Sequence, residues 1–135
     1  MSKGSCMCGA VQIELTKEPL GTALCHCSPC RKCAGANGST NLVVDPEHFR
    51  MTGKVNNWTR KGGSGQDVVY DYCAGCPTIV VVRPAALGGK LIVKIGLLDE
   101  VTDIEKWGPT TELFAKDRVV SWCEPKSGIE SKETQ

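Results

Sequence analysis

The sequence predicts a mainly β domain stapled by metal, on two observations. Short segments of alternating apolar and polar residues follow one another between turn signals, leaving room for only one or two short helices. Eight of the nine cysteines fall into two groups with metal-ligand spacing. A chain of 135 residues is one domain by length, with a core small enough that metal cross-links would help it.

The elements follow in order. Val11, Ile13 and Leu15 alternate with Gln12 and Glu14, the pattern of a half-buried strand. Residues 22–25 read as the next strand. Residues 28–35 then predict a short helix, with Ser28 as N-cap, Pro29 at its first position and Gly35 at its end. Further strands are expected at 40–44, 55–60, 67–72, 78–83 and 90–96, and a last pair between Thr111 and Trp122. Asp45-Pro46 is placed to cap a single helical turn. Lys61-Gly62-Gly63-Ser64-Gly65 lacks the Gly-Lys-Ser/Thr ending of a phosphate loop and reads as a hairpin connection. The domain is expected to span residues 1–123, with a polar, flexible tail over 124–135.

Composition narrows the function. The 16 basic and 15 acidic residues nearly balance, and no basic stripe stands out, so a nucleic-acid partner is not expected. The longest apolar run, residues 79–82, is too short to span a bilayer, and Met1-Ser2-Lys3-Gly4-Ser5-Cys6 lacks the apolar centre of a signal peptide. A cytoplasmic location is expected, where thiols stay reduced. An odd cysteine count and the close spacing of Cys6 with Cys8 and of Cys25 with Cys27 also favour metal over disulfides.

The first group is Cys6-Met7-Cys8 with Cys73-Ala74-Gly75-Cys76. A one-residue gap in a strand puts two side chains on one face, and a two-residue knuckle curls the backbone so that both sulfurs face one ion. Four thiolates make a closed, structural zinc site, which here would staple the N-terminus to the middle of the fold. Pro77 removes a backbone N–H that could have bonded a sulfur.

The second group is Cys25-His26-Cys27-Ser28-Pro29-Cys30, at a strand-to-helix junction. Three thiolates leave the fourth position of a zinc ion open, which suits an exogenous thiol held as the nucleophilic thiolate. Cys33 lies one helical turn beyond Cys30; it either closes the site as a fourth ligand or packs as a small hydrophobe. His26 is a metal ligand by residue type, but it is expected to face away from the ion as a supporting or packing residue. Arg31 either clamps a substrate carboxylate or is a solvated surface residue. Cys123 is expected to pack.

These residues resemble the glutathione-dependent formaldehyde-activating enzyme family, which includes centromere protein V. The likeness runs through Gly4-Ser5-Cys6-Met7-Cys8-Gly9-Ala10-Val11, Cys25-His26-Cys27-Ser28-Pro29-Cys30-Arg31-Lys32 with Gly35, and Tyr72-Cys73-Ala74-Gly75-Cys76. It continues through Ile95-Gly96-Leu97-Leu98-Asp99, Pro109, Phe114 and Trp122. The chain departs from the family pattern at Pro77, where glycine is usual, and at Cys33. The resemblance implies a β-tent-like fold of small antiparallel sheets holding two zinc ions. By it, Cys6, Cys8, Cys73 and Cys76 would hold the structural ion, and Cys25, Cys27 and Cys30 the catalytic one. It also implies formation of S-hydroxymethylglutathione from glutathione and formaldehyde, a carbon–sulfur lyase reaction read in reverse.

The expected function is therefore that of a zinc-dependent carbon–sulfur lyase on a thiol adduct, with glutathione as the leading thiol. Two alternatives stand beside it. One is a non-catalytic, zinc-stapled interaction module. The other is a thiol–disulfide redox protein using Cys30 with Cys33 or Cys73 with Cys76.

Overall fold

A computed structural model of the chain describes every residue other than Val120, Trp122, Lys126 and Gln135. The alternation at residues 11–15 forms strand β2 (Gln12–Leu15), with Ile13 and Leu15 buried and Gln12 exposed. It pairs antiparallel with β1 (Ser2–Ser5) and β5 (Phe49–Thr52), making a three-stranded sheet. Neither flanking strand was expected: β1 is built of small and polar residues, and the alternation of Phe49 and Met51 in β5 is only four residues long.

The second sheet has eight strands. Six of them are β3 (Gly21–Cys25), β4 (Ser39–Val44), β6 (Val55–Lys61), β7 (Asp67–Cys73), β8 (Ile79–Pro84) and β9 (Leu91–Lys94). The strand order is β3-β4-β9-β8-β7-β6, all antiparallel, and β10 (Thr111–Leu113) and β11 (Glu130–Ser131) extend it in parallel beyond β3. The mainly β reading holds. The loop at 61–65 is a hairpin connection, with the Gly62 N–H donating to the Gln66 carbonyl over 2.8 Å.

Several local expectations change. The helix, α1 (Ser28–Ala34), takes Cys27 rather than Ser28 as its N-cap, because Cys27 still has extended backbone and its carbonyl accepts the Arg31 N–H. Gly35 ends α1 as expected, at φ 93°. The strand expected over 90–96 stops at Lys94 and turns into a 3-10 helix at Ile95–Leu97. Among the described residues, 111–121 contains one strand instead of a pair; Phe114 takes a left-handed backbone and starts a 3-10 turn at Ala115–Asp117. Trp122, the far end of that expected pair, lies outside the described residues. The tail segment is not wholly frayed. Glu130–Ser131 pairs with β10, and the Lys132 N–H donates to the Glu112 carbonyl over 3.0 Å. The second of the one or two short helices expected, α2 (Val101–Lys106), forms where none had been placed, while Asp45 does cap the turn at Pro46–His48 through its side chain.

The core lies between the sheets. Ile13 and Leu15 of the small sheet meet Leu42, Val44, Val80 and Val93 of the large one, joined by Val11, Leu97 and Leu98. Gly4 allows β1 to cross the 97–98 segment closely: a Cβ there would sit 2.1 Å from the Leu97 carbonyl oxygen. The Asp99 N–H donates to the Lys3 carbonyl at that crossing. Among the described residues, no helix is long and apolar enough to cross a membrane.

Candidate metal centres

The N-terminal strand and the β7–β8 turn bring the first four cysteines together. Sγ of Cys6 and Sγ of Cys8 are 3.6 Å apart, and Sγ of Cys8 and Sγ of Cys73 are 3.7 Å apart. All four sulfurs, including Cys76, lie within 4.8 Å of one another. A tetrahedral ion with sulfur ligands at about 2.3 Å requires sulfurs about 3.8 Å apart, so this set fits a four-coordinate metal. The cradle also supplies donors. The Val11 N–H donates to Cys6 Sγ over 3.2 Å, and the Gly75 N–H to Cys73 Sγ over 3.3 Å.

Pro77 leaves the place of a donor that Thr78 fills. Its hydroxyl lies 3.2 Å from Cys76 Sγ and accepts the Met7 N–H over 3.1 Å. Thr78's hydroxyl and backbone hold the Cys76 thiol down at about 6. A backbone bond from Ala10 stabilises the Cys8 thiolate, but crowding by Cys6, Cys76 and Cys73 outweighs it and pushes the thiol up to about 11. Four such thiols can all ionise only around a cation. Thr78 is a supporting residue that the sequence reading missed; a hydroxyl two residues after a knuckle cysteine was its signal.

The second set forms where β3 enters α1. Cys25, Cys27 and Cys30 bring three sulfurs within 4.8 Å of one another. The helix turn makes this possible, because Arg31 N–H bonding to the Cys27 carbonyl folds Cys30 back toward Cys25 and Cys27. Hydrogen bonds from Cys25 and Cys27 hold the Cys30 thiol far below its ordinary value, and the Ser39 hydroxyl and the Lys94 charge add to this. The same neighbours, Cys27 and Cys30, push the Cys25 thiol far up, and burial adds to that. Without a cation the cluster thus resists full ionisation, and the donor set suits a thiophilic metal.

Cys33 does not join the cluster. It is exposed on α1 and lines a groove instead. Arg31 is also exposed, with its backbone tied to Cys27 and Gly35. Cys123 is buried, its thiol donating to Oδ1 of Asn37 over 2.5 Å.

His26 turns away from the sulfurs into a buried polar network. Its Nε2 lies 3.0 Å from Oε1 of Glu112, whose other oxygen accepts from Arg118 Nη2 over 2.6 Å and Ser131 Oγ over 2.7 Å. Gly38 packs against this junction at φ 79°, where a Cβ would meet the Cys25 carbonyl oxygen at 2.5 Å. A second support lies under Cys30: Lys94 Nζ donates to Asn41 Oδ1 over 2.8 Å and to Ser39 Oγ over 3.3 Å. Sequence reasoning missed Glu112 and Lys94, which come from strands distant in the chain, and Ser39 and Asn41, which reach the cluster only through the pairing of β4 with β3. Only the polar character of Ser39 and Asn41 at alternate positions of a strand hinted at them.

Fold and site together define a small β protein with two cysteine clusters able to hold metal ions. The model of the glutathione-dependent formaldehyde-activating enzyme family matches residues 1–117, and the chain belongs to that family. A solved structure of a protein from Rhodobacter sphaeroides is similar, with a TM-score of 0.59 and 22% sequence identity, over 79% of this chain and 96% of that one. That likeness extends to the fold. No curated protein matches the chain.

Proposed function

We propose that the chain is a zinc-dependent carbon–sulfur lyase acting on a glutathione adduct, S-hydroxymethylglutathione being the leading one. The observation that carries this reading is the inequality of the two clusters. One brings four sulfurs together and the other three, with Cys33 outside it. Four-sulfur sites are closed, and three-sulfur sites leave a position for a substrate. The family's description supplies the thiol and the aldehyde.

In this reading Cys6, Cys8, Cys73 and Cys76 hold a structural zinc, and Cys25, Cys27 and Cys30 hold the catalytic one. The chemistry such an ion supplies when bound is Lewis acidity, which favours the deprotonated form of a thiol offered as fourth ligand. The protein orients that thiol. Arg31, next to Cys30, is the proposed partner of a substrate carboxylate. Glu112 and His26 fix the strand end that carries Cys25 and Cys27, while Ser39 and Lys94 steady Cys30. In the forming direction the substrate sulfur attacks the aldehyde carbon, and the carbonyl oxygen takes up a proton. In the cleaving direction the hydroxyl gives up its proton, the carbonyl re-forms and the sulfur leaves with the electron pair.

Metal analysis with X-ray absorption tests this reading. Wild type and Cys33→Ser should each hold two zinc ions. Mean sulfur coordination should stand near about 3.5 per zinc and rise to about 4 on adding glutathione. Four sulfurs per zinc before any thiol, with one ion lost in Cys33→Ser, would close the second site. The chain would then be a zinc-stapled interaction module.

A further inference from the structure

Beside α1 lies a groove of about 340 Å³ that neither metal cluster uses. One wall is helical: Ser28, Pro29, Lys32 and Cys33. The other is one face of the β6–β7 hairpin. Trp58 stands directly opposite Tyr70 in the register, and Arg60 and Tyr72 lie two residues along their strands, hence on the same face. Trp58 and Tyr70 rings meet at 5.8 Å and 48°. Arg60 lies over the Tyr70 ring at 5.6 Å while its Nε donates to the Tyr70 hydroxyl over 2.8 Å.

Such a wall is unusual for a solvent-facing hairpin. Trp58 is 59% exposed although nothing in its strand requires an aromatic there. Arg60 directs Nε to the Tyr70 hydroxyl and Nη1 to the Lys61 carbonyl, and its stacking stiffens the wall, leaving mainly apolar ring surface toward the groove. The volume lies at the small end of the range of ligand pockets, room for one aromatic ring and its linker rather than a whole conjugate. No acidic side chain lines it, and Lys32 stands on its helical side.

The groove adjoins the three-sulfur cluster. The helix that forms its wall also carries Cys30. Ser28 and Pro29, which line the helical wall, lie between Cys27 and Cys30 in the chain, so the edge of the groove is also the edge of the cluster.

We propose that this groove is a specificity pocket for an aromatic S-substituent of the thiol adduct, stacked on Trp58 between the β6–β7 hairpin and α1. The assignment rests on the thiol-adduct reading of the three-sulfur site and extends it. The sulfur end goes to the cluster, and the electrophile-derived end extends past the start of α1 onto the rings. Adducts of aromatic aldehydes would then be substrates beside S-hydroxymethylglutathione, which leaves the groove empty.

Titration of the zinc-loaded protein with S-methylglutathione and S-benzylglutathione tests it. The benzyl conjugate should bind at least about tenfold tighter, the size expected for one well-stacked buried ring. In Trp58→Ala that preference should fall below about threefold, with zinc content and melting temperature checked to show the variant is folded. Equal affinities in the wild type, or a preference that survives Trp58→Ala, would overturn the pocket. Phenylacetate, followed through the fluorescence that Trp58→Ala removes, separates the two layers of the argument. Binding of phenylacetate but of neither conjugate overturns the thiol-adduct reading and leaves an aromatic site; binding of none of the three overturns both.

Discussion

Nε2 of His26 lies 3.0 Å from Oε1 of Glu112, across 86 residues of chain, and both side chains are almost wholly buried, at 3% and 1% exposure. Because His26 sits between Cys25 and Cys27, this contact ties the three-sulfur cluster to β10 of the large sheet. It also joins two segments that the sequence does not connect.

Replacing Glu112 with glutamine should therefore loosen the cluster as well as the fold. Arg118 would lose its carboxylate in a buried setting, at a cost of about 2–4 kcal/mol near neutral pH. Burial works to raise the Glu112 carboxyl, but hydrogen bonds from His26, Ser131 and Arg118 outweigh it, and the group stays below its ordinary value of 4.5. A depressed carboxyl stabilises the fold above that value, and its contribution fades as pH falls below 4.5 through the folded-state value. Urea unfolding from pH 7 down to 3 should show the gap between wild type and Glu112→Gln shrinking over that acid range. A constant gap would mean the carboxylate charge does not matter.

The two clusters should differ in what they hold together. Cys73→Ser breaks a link between β1 and β7, segments some 65 residues apart, whereas Cys27→Ser alters a local turn. Cys73→Ser should lower the melting temperature by about 10–20 °C, and Cys27→Ser by only a few degrees, with loss of lyase activity. Equal losses in calorimetric melts would remove the distinction between a structural and a catalytic site.

Thr78→Val should weaken metal binding at the four-sulfur cluster by about 10–100-fold, since the hydroxyl that steadies Cys76 is lost. Chelator competition measures this, and Thr78→Ser should restore most of the affinity. The loss should be larger at lower pH, because the Cys76 thiol, held at about 6, would rise and protons would compete better with the metal. Unchanged metal retention would reduce Thr78 to a backbone spacer.

Arg31→Ala should raise the KM for glutathione adducts by about tenfold while kcat changes little, as expected for a carboxylate contact made equally in ground and transition states. A conjugate with its glycine carboxylate amidated should bind both forms alike. If steady-state kinetics of wild type and Arg31→Ala coincide for glutathione itself, Arg31 is a solvated surface residue.

Much of the candidate site was legible because its cysteines come in short-range pairs. Cys6 with Cys8, Cys73 with Cys76, and Cys25 with Cys27 and Cys30 carry their geometry in their spacing, and strand alternation and knuckle curvature do the rest. Strands such as β2 and β7 were legible for a similar reason, since one buried face writes a period of two into the sequence. The short flanking elements were not. β1 and β11 are held by backbone pairing to neighbours, which leaves little side-chain pattern to read, and the apolar pair Phe49 and Met51 of β5 is too short a run to stand out.

Only the tertiary structure decided which cysteines stay outside the clusters and what surrounds those inside. Helical spacing placed Cys33 beside Cys30 along the chain, but the helix turns it onto the groove. His26 looked like a candidate ligand by type, and its partner Glu112 becomes visible only when β10 pairs in parallel with β3. The groove itself depends on the register that sets Trp58 opposite Tyr70 and on α1 packing near that face. Ligand spacing is a local property and survives in one dimension. The residues that support a ligand, like a pocket wall, are assembled from strands that meet through long-range pairing, and that information exists only once the chain has folded.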